Sequence, residues 1–293
     1  MANPGPVIGV IGGSGVYEIE GLTNAEWREV ETPFGAPSDA LLAGELDGQP
    51  IVFLPRHGRG HRLPPSDINY RANIDALKRL GVTEVISIGA VGSLREEMAP
   101  GDFVIVDQFI DRTFAREKSF FGPGLTAHVS MAKPVCGRMG ALLRDTADGL
   151  GIKTHGGGCY LVMEGPQFST LAESELYRSW GCAVIGMTNL PEAKLAREAE
   201  LCYATVAMVT DYDCWHAGHD DVTVDAIIEV MNANAARARS LVKAVTPRLA
   251  GREGPCGEGC HHALDAALIT APEARDPALV AKLDAVAGRV LGG

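Results

Sequence analysis

The chain has little positive charge and no long apolar stretch. Its 293 residues include 37 acidic and 26 basic side chains, which gives a net charge of −11. Nonspecific nucleic-acid binding requires a basic surface, so this balance argues against it. No apolar run reaches the length of a membrane-spanning helix, and the N-terminus lacks the basic start and apolar core of a signal peptide. A cytoplasmic enzyme is therefore the default expectation.

The cysteines do not form an even set, because the chain has seven of them. Cys256 and Cys260 lie close together and are followed by His261 and His262. The spacing C-x3-C-H-H is irregular for a zinc site, and adjacent histidines rarely both reach one ion. A bound metal, a local disulfide and reduced thiols all stay open for this pair, and we expect reduced thiols and no metal.

Short apolar runs alternate with segments of helical periodicity. This alternation predicts one α/β domain with a central, largely parallel or mixed sheet flanked by helices. The predicted strands are 6–11, 50–54, 84–88, 102–106, 159–163, 183–186 and 203–209. The predicted helices are 66–80, capped by Ser66, then 139–150, 171–179, 191–198 and 222–245.

A composition break at 251–260, rich in glycine, separates the end of the chain from the rest. We interpret it as a linker that leads to two C-terminal helices, at about 261–270 and 277–291. The expected organisation is a main domain over 1–250, with 251–293 packed on it.

The segment Thr210-Asp211-Tyr212-Asp213-Cys214-Trp215 follows the apolar run 203–209. Side chains alternate along a strand, so Asp211 and Asp213 are expected on one side. Close like charges push one carboxyl toward its protonated form. A protonated carboxyl beside an ionised one can donate one hydrogen bond and accept another, which matches N7 and the 6-amino group of adenine. Two solvated turn aspartates are the alternative interpretation.

Three segments after predicted strands are suited to an anion. The loop Gly12-Gly13-Ser14-Gly15 offers close backbone approach and a hydroxyl, although it is neither a dinucleotide fingerprint nor a Walker loop. Arg56 and His57 begin a cationic cluster in which Arg56 can bind an oxyanion through two parallel N–H bonds. The backbone of Gly89 and Ala90 can complete the cradle. Strand-to-turn glycines and a solvated basic loop are the simpler alternatives.

Two further strand ends carry candidate substrate contacts. In 163–169, Phe168 offers a flat face for a base, and Glu164 is either an acid or a partner of a basic group. In 185–189, Met187 can lie beneath a ribose and Thr188 can bind phosphate. A methionine at such a position is more often part of a core.

Taken in chain order over about residues 5–250, these motifs resemble the purine nucleoside phosphorylase family, and within it the 5'-methylthioadenosine phosphorylases. The matching segments include Asn69-Tyr70-Arg71-Ala72-Asn73 and Gly92-Ser93-Leu94-Arg95-Glu96 besides those above. The resemblance implies a nucleoside phosphorylase-like fold and phosphorolysis of 5'-methylthioadenosine to adenine and 5-methylthioribose 1-phosphate. It implies no metal or organic cofactor, with inorganic phosphate as cosubstrate.

The resemblance also implies roles for individual residues. Asp211 and Asp213 bind the adenine, with Asp211 at N7, and Met187, Phe168 and Ser169 contact the nucleoside. The implied phosphate ligands are Ser14, Arg56, His57, Gly89, Ala90 and Thr188. Some relatives have a hydroxyl residue where this chain has Gly89, so only a backbone contact is expected there.

The remaining expectations concern the 5' end of the substrate and the assembly. The family places Val222, Val224 and Ile227 around the methylthio group, whereas periodicity alone favours ordinary core positions. His128 matches a histidine that relatives contribute from a neighbouring subunit, which implies a homo-oligomer, a trimer or a dimer of trimers. The rival functions are a phosphorylase for 6-oxopurine nucleosides, a noncatalytic nucleotide-binding protein and a nucleoside hydrolase.

Overall fold

The computed structural model describes residues 5–13, 15–216 and 224–292, without the side chains of 224–227. Within those ranges eleven strands form one mixed sheet, and helices pack on both of its faces. The predicted single α/β domain with a mixed sheet flanked by helices is confirmed. None of the helices in the described ranges is long and apolar enough to cross a lipid bilayer.

The strands are β1 (Val7–Gly12), β2 (Leu22–Arg28), β3 (Leu41–Leu46), β4 (Gln49–Pro55), β5 (Val82–Ser93), β6 (Phe103–Val106), β7 (Gln108–Arg112), β8 (Thr154–Gly156), β9 (Cys159–Met163), β10 (Val184–Gly186) and β11 (Cys202–Asp211). The helices are α1 (Tyr70–Arg79), α2 (Gly137–Gly149), α3 (Leu171–Ser179), α4 (Asn189–Glu198), α5 (Val224–Ala250), α6 (Pro277–Lys282) and α7 (Asp284–Leu291).

The sheet is built around β5, which is the longest strand. The main order is β2-β3-β4-β1-β5-β10-β9-β7, and β11 lies along the other edge of β5 and continues to β6 and β8. β5 runs parallel to β1 and β11 and antiparallel to β10. Successive β5 side chains enter different cores: Val85 packs with α1, α4 and α7, whereas Ile86 packs with α2 and α5. This alternation is why both faces need helical cover.

All seven predicted strands are present, with ends that differ by a few residues. The prediction missed β2, β3, β7 and β8. β2 is an exposed strand with few apolar residues, and β8 has only three residues, so neither contains the apolar run that marks a buried strand.

Two helix predictions need correction. The cap of α1 is Asn69, whose side chain accepts from the backbone N–H of Ala72, and Ser66 lies in a separate 3-10 turn. The prolines before Ser66 support that turn but not a continuous helix. The predicted helix at 261–270 is only the 3-10 turn Cys260–His262, followed by turns and a backbone bridge between Ala127 and Leu268.

The C-terminal helices share the core of the sheet. Leu283, Val286 and Ala287 are buried in the same cluster as α1. Arg79 of α1 binds Asp284 with Nη2 to Oδ1 at 2.5 Å. We propose on this basis that 251–293 unfolds together with the main domain.

Leu283→Ala tests that proposal. Leu283 is fully buried, so the cavity should lower the free energy of unfolding by about 2–5 kcal/mol. Urea unfolding followed by both circular dichroism and tryptophan fluorescence should show one shared transition at a lower midpoint. The control is Leu176→Ala, at an exposed site of α3, which should change the midpoint little. Separate transitions for the two probes would contradict a single cooperative unit.

Candidate active site

Along one of its edges, β5 pairs with β1 at its start and with β10 at its end, and a stretch between them is left without a partner strand among the described residues. β1 pairs with β5 as far as Ser87, whereas β10 pairs with it from Gly92. Within the described chain, residues 88–91 keep only β11 as a strand neighbour. Separated strands leave space and backbone polar groups between them, and ligand sites of α/β sheets gather at such points. We call this opening the β5 gap.

Arg56 is buried at the β5 gap, at the end of β4, where protein groups hold its guanidinium. Nε and Nη2 donate to the two carboxylate oxygens of Glu192 at 2.8 and 3.1 Å. Nη2 also donates to Ser87 Oγ at 2.7 Å, and Nη1 donates to the carbonyl oxygen of Ile88 at 2.8 Å. The expected two-bond grip on an oxyanion is therefore wrong, because that edge of the guanidinium already binds Glu192. Among the described residues, the second hydrogen of Nη1 has no partner.

Glu192 is the functional neighbour that the sequence analysis missed. Its carboxylate is buried and also accepts hydrogen bonds from Ser87 Oγ at 2.6 Å and from Tyr203 at 2.8 Å. Burial acts against the charge of Arg56, but the charge of Glu192 outweighs it and holds the pKa of Arg56 above its ordinary value. The only signal in the sequence was a glutamate in a helix that is otherwise apolar at that point.

Gly89 and Thr188 lie beside the available hydrogen of Arg56. A β-carbon at Gly89 would stand 3.7 Å from Arg56 Nη1 and 3.7 Å from Thr188 Oγ1. Thr188 is buried, and its hydroxyl does not cap α4. A side chain at Gly89 would enter the space between these donors, so glycine keeps that space open. Ala90 follows, half-buried, in β5, and Ser14 lies outside the described residues.

His57 is neutral in this environment. Its Nδ1 lies 2.8 Å from the carbonyl oxygen of Leu63, which can only accept, so Nδ1 carries the proton. Burial, reinforced by the charge of Arg56, lowers the pKa of His57 to about 4. Nε2 of the neutral ring is then an acceptor. The expected additional donor at this position is therefore available only when His57 gains a second proton.

Asp211 and Asp213 converge over Gly92, but not through simple strand alternation. Asp211 ends β11, and Asp213 lies beyond it in a turn with a φ of 52°. A β-carbon at Gly92 would lie 2.9 Å from Asp211 Oδ1 and 3.3 Å from Asp213 Cβ. Only glycine leaves room for both side chains at this point of β5.

The two carboxyls differ in their partners. Asp211 accepts hydrogen bonds from Thr210 Oγ1 at 2.7 Å and from the backbone N–H of Asp213 at 2.8 Å. Oδ2 of Asp213 is buried and has no hydrogen-bond partner in the described part of the chain. Burial raises the pKa of both carboxyls. For Asp213 the Ser174 hydroxyl acts against this rise and the charge of Asp211 adds to it. The site thus contains two carboxyls that are protonated more readily than ordinary aspartates, and one buried carboxylate oxygen without a partner in the described residues.

One strand joins the two halves of the site. Gly89 lies beside the anion donors and Gly92 beside the aspartates. Three residues of extended strand span roughly 10 Å. This separation matches the length of a small molecule with an anion at one end and a base at the other.

The loop after β9 borders this site. Ser169 accepts a bond from Cys214 Sγ through its carbonyl oxygen at 3.4 Å, next to Asp213. Phe168 is 52% exposed, so its ring is not part of the core. Met187 is close to the loop, because a β-carbon at Gly165 would overlap its sulfur.

Glu164 fits the second of its two interpretations, as the partner of a basic group. Burial favours its neutral form, but hydrogen bonds from Ser66, Phe114 and Ala115 and the charge of Arg116 lower its pKa overall. Arg116 also donates to the carbonyl oxygen of Met187 at 2.6 Å. This buried arginine, which the sequence analysis did not single out, connects the loop to the segment that carries Thr188.

No contact in the described part of the chain joins His128 to this cluster. His128 is exposed, and its backbone N–H donates to the carbonyl oxygen of Ala267 at 2.8 Å. Val222 and the side chains of Val224 and Ile227 lie outside the described residues, so their place around the methylthio group stays a prediction.

Comparison with known proteins identifies the family first. The sequence model of the phosphorylase superfamily matches residues 7–247. The chain therefore belongs to the phosphorylase superfamily, and the recognition made from its motifs is confirmed.

Comparison with individual relatives narrows the assignment within the superfamily. The chain is 66% identical over 287 residues to S-methyl-5'-thioadenosine phosphorylase of Cereibacter sphaeroides, which covers 98% of this chain and 99% of the relative. Identity to the protein of the same name from Rhodospirillum rubrum is 64%, covering 98% of each.

Solved structures give the same result for the fold. A methylthioadenosine phosphorylase from an Antarctic soil metagenomic library has a TM-score of 0.91 and 46% identity, covering 97% of this chain and 99% of that one. Methylthioadenosine phosphorylase from Schistosoma mansoni in complex with adenine has a TM-score of 0.81 and 36% identity, covering 89% and 96%. The nucleoside phosphorylase-like fold is confirmed.

The low pKa of His57 predicts a pH-dependent loss of stability. Between pH 6.5, where an ordinary histidine titrates, and about 4, the unfolded chain binds more protons here than the folded chain. The contribution of neutral His57 is therefore present above pH 6.5 and lost as the pH falls. From pH 7 to pH 5, wild type should lose about 1–2 kcal/mol more stability than His57→Gln in urea unfolding. Equal losses in wild type and His57→Gln would contradict the assignment.

Proposed function

We propose that this chain catalyses the reversible phosphorolysis of 5'-methylthioadenosine to adenine and 5-methylthioribose 1-phosphate. One observation carries the proposal: β5 holds an opening lined by anion donors and, roughly 10 Å along, two buried carboxyls. The high identity to relatives that bear this activity in their names supports it.

Phosphate occupies the anion end in this proposal. Its ligands are the available N–H of Arg56 Nη1, the hydroxyl of Thr188, the backbone of Gly89 and Ala90, and Ser14. Neutral His57 accepts a hydrogen bond at Nε2 from a protonated oxygen of the phosphate. Beside the dianion His57 instead becomes protonated, because the negative charge raises its pKa. Arg56 orients the phosphate by one bond, and Glu192 fixes the guanidinium in that orientation.

Adenine occupies the carboxyl end. The unpartnered Oδ2 of Asp213 accepts from the 6-amino group, which satisfies a buried acceptor that is otherwise costly. Asp211, whose pKa burial raises, donates a proton to N7. Met187, Phe168 and Ser169 then contact the nucleoside between the two ends.

Charge explains why the reaction needs these groups. Adenine leaves poorly as an anion, and a proton at N7 relieves that charge as the glycosidic bond breaks. The sugar becomes positive in character and is stabilised by the adjacent phosphate, which then bonds to C1'. The protein contributes position and fixed charge, and the proposal needs no organic cofactor.

The 6-oxopurine phosphorylase is the nearest rival. The carbonyl at C6 of hypoxanthine has no hydrogen to donate to Asp213 and would lie against its Oδ2, a buried acceptor without a partner in the described residues. This polar mismatch favours adenine nucleosides. The proposed pocket of Val222, Val224 and Ile227 favours a methylthio group over a 5'-hydroxyl by about 10–100-fold.

Measurement of adenine release from 5'-methylthioadenosine, with and without inorganic phosphate, tests the reaction. We expect release that depends on phosphate, and much slower release of hypoxanthine from the matching inosine analogue. Asp211→Ala should lower kcat by about 100-fold or more while leaving phosphate affinity nearly unchanged. The control is Glu97→Ala, at an exposed carboxylate on the segment after β5. Equal release of adenine without phosphate would indicate a hydrolase. Near-normal turnover of Asp211→Ala would contradict the proposed role of Asp211 as the proton donor to N7.

We further propose a homo-oligomer, a trimer or a pair of trimers, in which His128 completes the site of a neighbouring subunit. In the described part of the chain the imidazole of His128 makes no hydrogen bond, and nearby Ile269 is 62% exposed. Ile269 is joined to this segment by a hydrogen bond from its N–H to Thr126. Both side chains are therefore accessible to a neighbouring subunit.

Mixed oligomers test the shared site. His128→Ala and Asp211→Ala should each have low activity alone, and co-expression should restore activity, because some sites then combine an intact Asp211 with an intact neighbouring His128. The matched control pairs His57→Ala with Asp211→Ala, two residues of one subunit's site, and should show no restoration. A fully active monomer at nanomolar concentration would contradict the proposal.

The products suggest the wider role. Adenine and a methylthio sugar phosphate are suited to purine and methionine salvage, and we place the enzyme in the cytoplasm. The support for this location is the negative charge of the chain and the phosphate and nucleoside chemistry proposed above.

A further inference from the structure

Four cysteines from distant parts of the chain meet in the core on the α2 and α5 side of the sheet. Cys136, Cys202, Cys256 and Cys260 are all buried, and their sulfurs lie within 4.8 Å of one another. The proposed phosphorolysis uses none of them. We propose that these four thiolates bind one structural zinc ion.

The spacing of the sulfurs fits tetrahedral coordination. Zinc–sulfur bonds of about 2.3 Å in a tetrahedron place the sulfurs about 3.8 Å apart. Sγ of Cys136 lies 3.6 Å from Sγ of Cys256, and the 4.8 Å limit for all pairs requires only a small contraction around an ion. A disulfide would instead need about 2.05 Å between two sulfurs, and it would leave the quartet divided into pairs.

The local backbone holds the four ligands independently of any ion. Cys136 is the N-cap of α2, and its N–H donates to the carbonyl oxygen of Tyr203 at 2.8 Å, which fixes it beside Cys202. Cys256 and Cys260 are joined by a turn in which the N–H of Gly259 bonds the carbonyl oxygen of Cys256 at 3.0 Å. Three residues separate them, which lies within the cysteine spacing of structural zinc sites. The expectation of no metal considered only this pair and the adjacent histidines, without Cys136 and Cys202.

Nearby positive side chains would compensate the negative charge of the proposed zinc centre. Zinc with four thiolates carries a formal charge of −2, which is costly in a buried place without compensation. The guanidinium of Arg138 lies beside Cys136 and Cys256, and the charge of Arg197 acts on Cys260. Nε of Arg138 is buried and has no hydrogen-bond partner in the described ranges. A metal-bound thiolate would accept that N–H, as second-shell donors do in other metal sites.

The surroundings indicate a closed structural site. All four cysteines belong to one apolar cluster that includes side chains of α2, α5 and β11. With four protein ligands and no open position, the ion would not take part in phosphorolysis. It would connect the start of α2 and the start of β11 to the linker 251–260. That linker leads to Ala267, whose carbonyl oxygen binds the backbone of His128.

Metal analysis of the full-length protein tests this inference separately from its activity. Protein purified under reducing conditions without chelator should contain about one zinc per chain by multi-element mass spectrometry. X-ray absorption at the zinc edge should show four sulfur neighbours at about 2.3 Å. Removal of zinc with a strong chelator should lower Tm, because metal binding contributes to folding.

Two variants and a matched control complete the design. Cys256→Ser and Cys260→Ser should lose the zinc, whereas Cys159→Ser, a cysteine outside the quartet, should keep it. If the variants fail to fold, the zinc content and absorption spectrum of the unaltered protein decide the matter. Only traces of zinc, with the four thiols either free to alkylation or paired in disulfides, would overturn the proposal. Iron in place of zinc, or nitrogen and oxygen ligands, would overturn it as well.

Discussion

The buried ion pair between Arg56 and Glu192 is the constraint on which the arrangement of the site depends. Two charges removed from water are costly unless their geometry and remaining hydrogen bonds are complete. Here the guanidinium makes two bonds to the carboxylate and further bonds to Ser87 and Ile88, and Tyr203 also donates to Glu192. β4, β5, β11 and α4 must therefore keep their relative positions for the pair to stay satisfied.

The pair also explains how the sheet tolerates the β5 gap. The separation of β1 and β10 leaves the carbonyl of Ile88 without a neighbour on that edge, and Arg56 supplies the missing donor. A buried backbone group is costly when it is left unpaired. The same guanidinium thus stabilises an opened sheet and presents its one available N–H to the opening. Stability and anion recognition are in this way properties of one side chain.

At the carboxyl end of the site, the polar groups are not all satisfied by the protein itself. Asp213 lies in a left-handed turn with a buried carboxylate oxygen that has no partner in the described ranges, beside a second carboxyl whose pKa burial raises. Folding alone does not satisfy Oδ2 of Asp213, so its burial carries a cost that a ligand with a suitable donor can relieve. Gly89 and Gly92 set the distance between this end and the anion donors, because each leaves space where a side chain would intrude.

Much of this was predictable from local patterns. The apolar runs located all seven predicted strands, and the residues that follow them, from Arg56 to Asp211, were identified as site residues because strand ends gather ligands in α/β sheets. The missed strands and the wrongly predicted helix after Cys260 lack such runs or depend on contacts with distant segments of the chain. The two-bond role of Arg56 failed for the same reason. Its partner Glu192 is 136 positions away in the chain, and no local pattern links them.

The sequence by itself determined the fold class, the family and the residue types of the site, because periodicity and short motifs depend on neighbours along the chain. Only the tertiary structure decided what each group can do. It neutralised His57 by burial, turned Arg56 toward Glu192 and brought Cys136 and Cys202 beside the pair Cys256 and Cys260. Burial, charge and distance depend on which distant segments pack together, and composition and spacing do not contain that information.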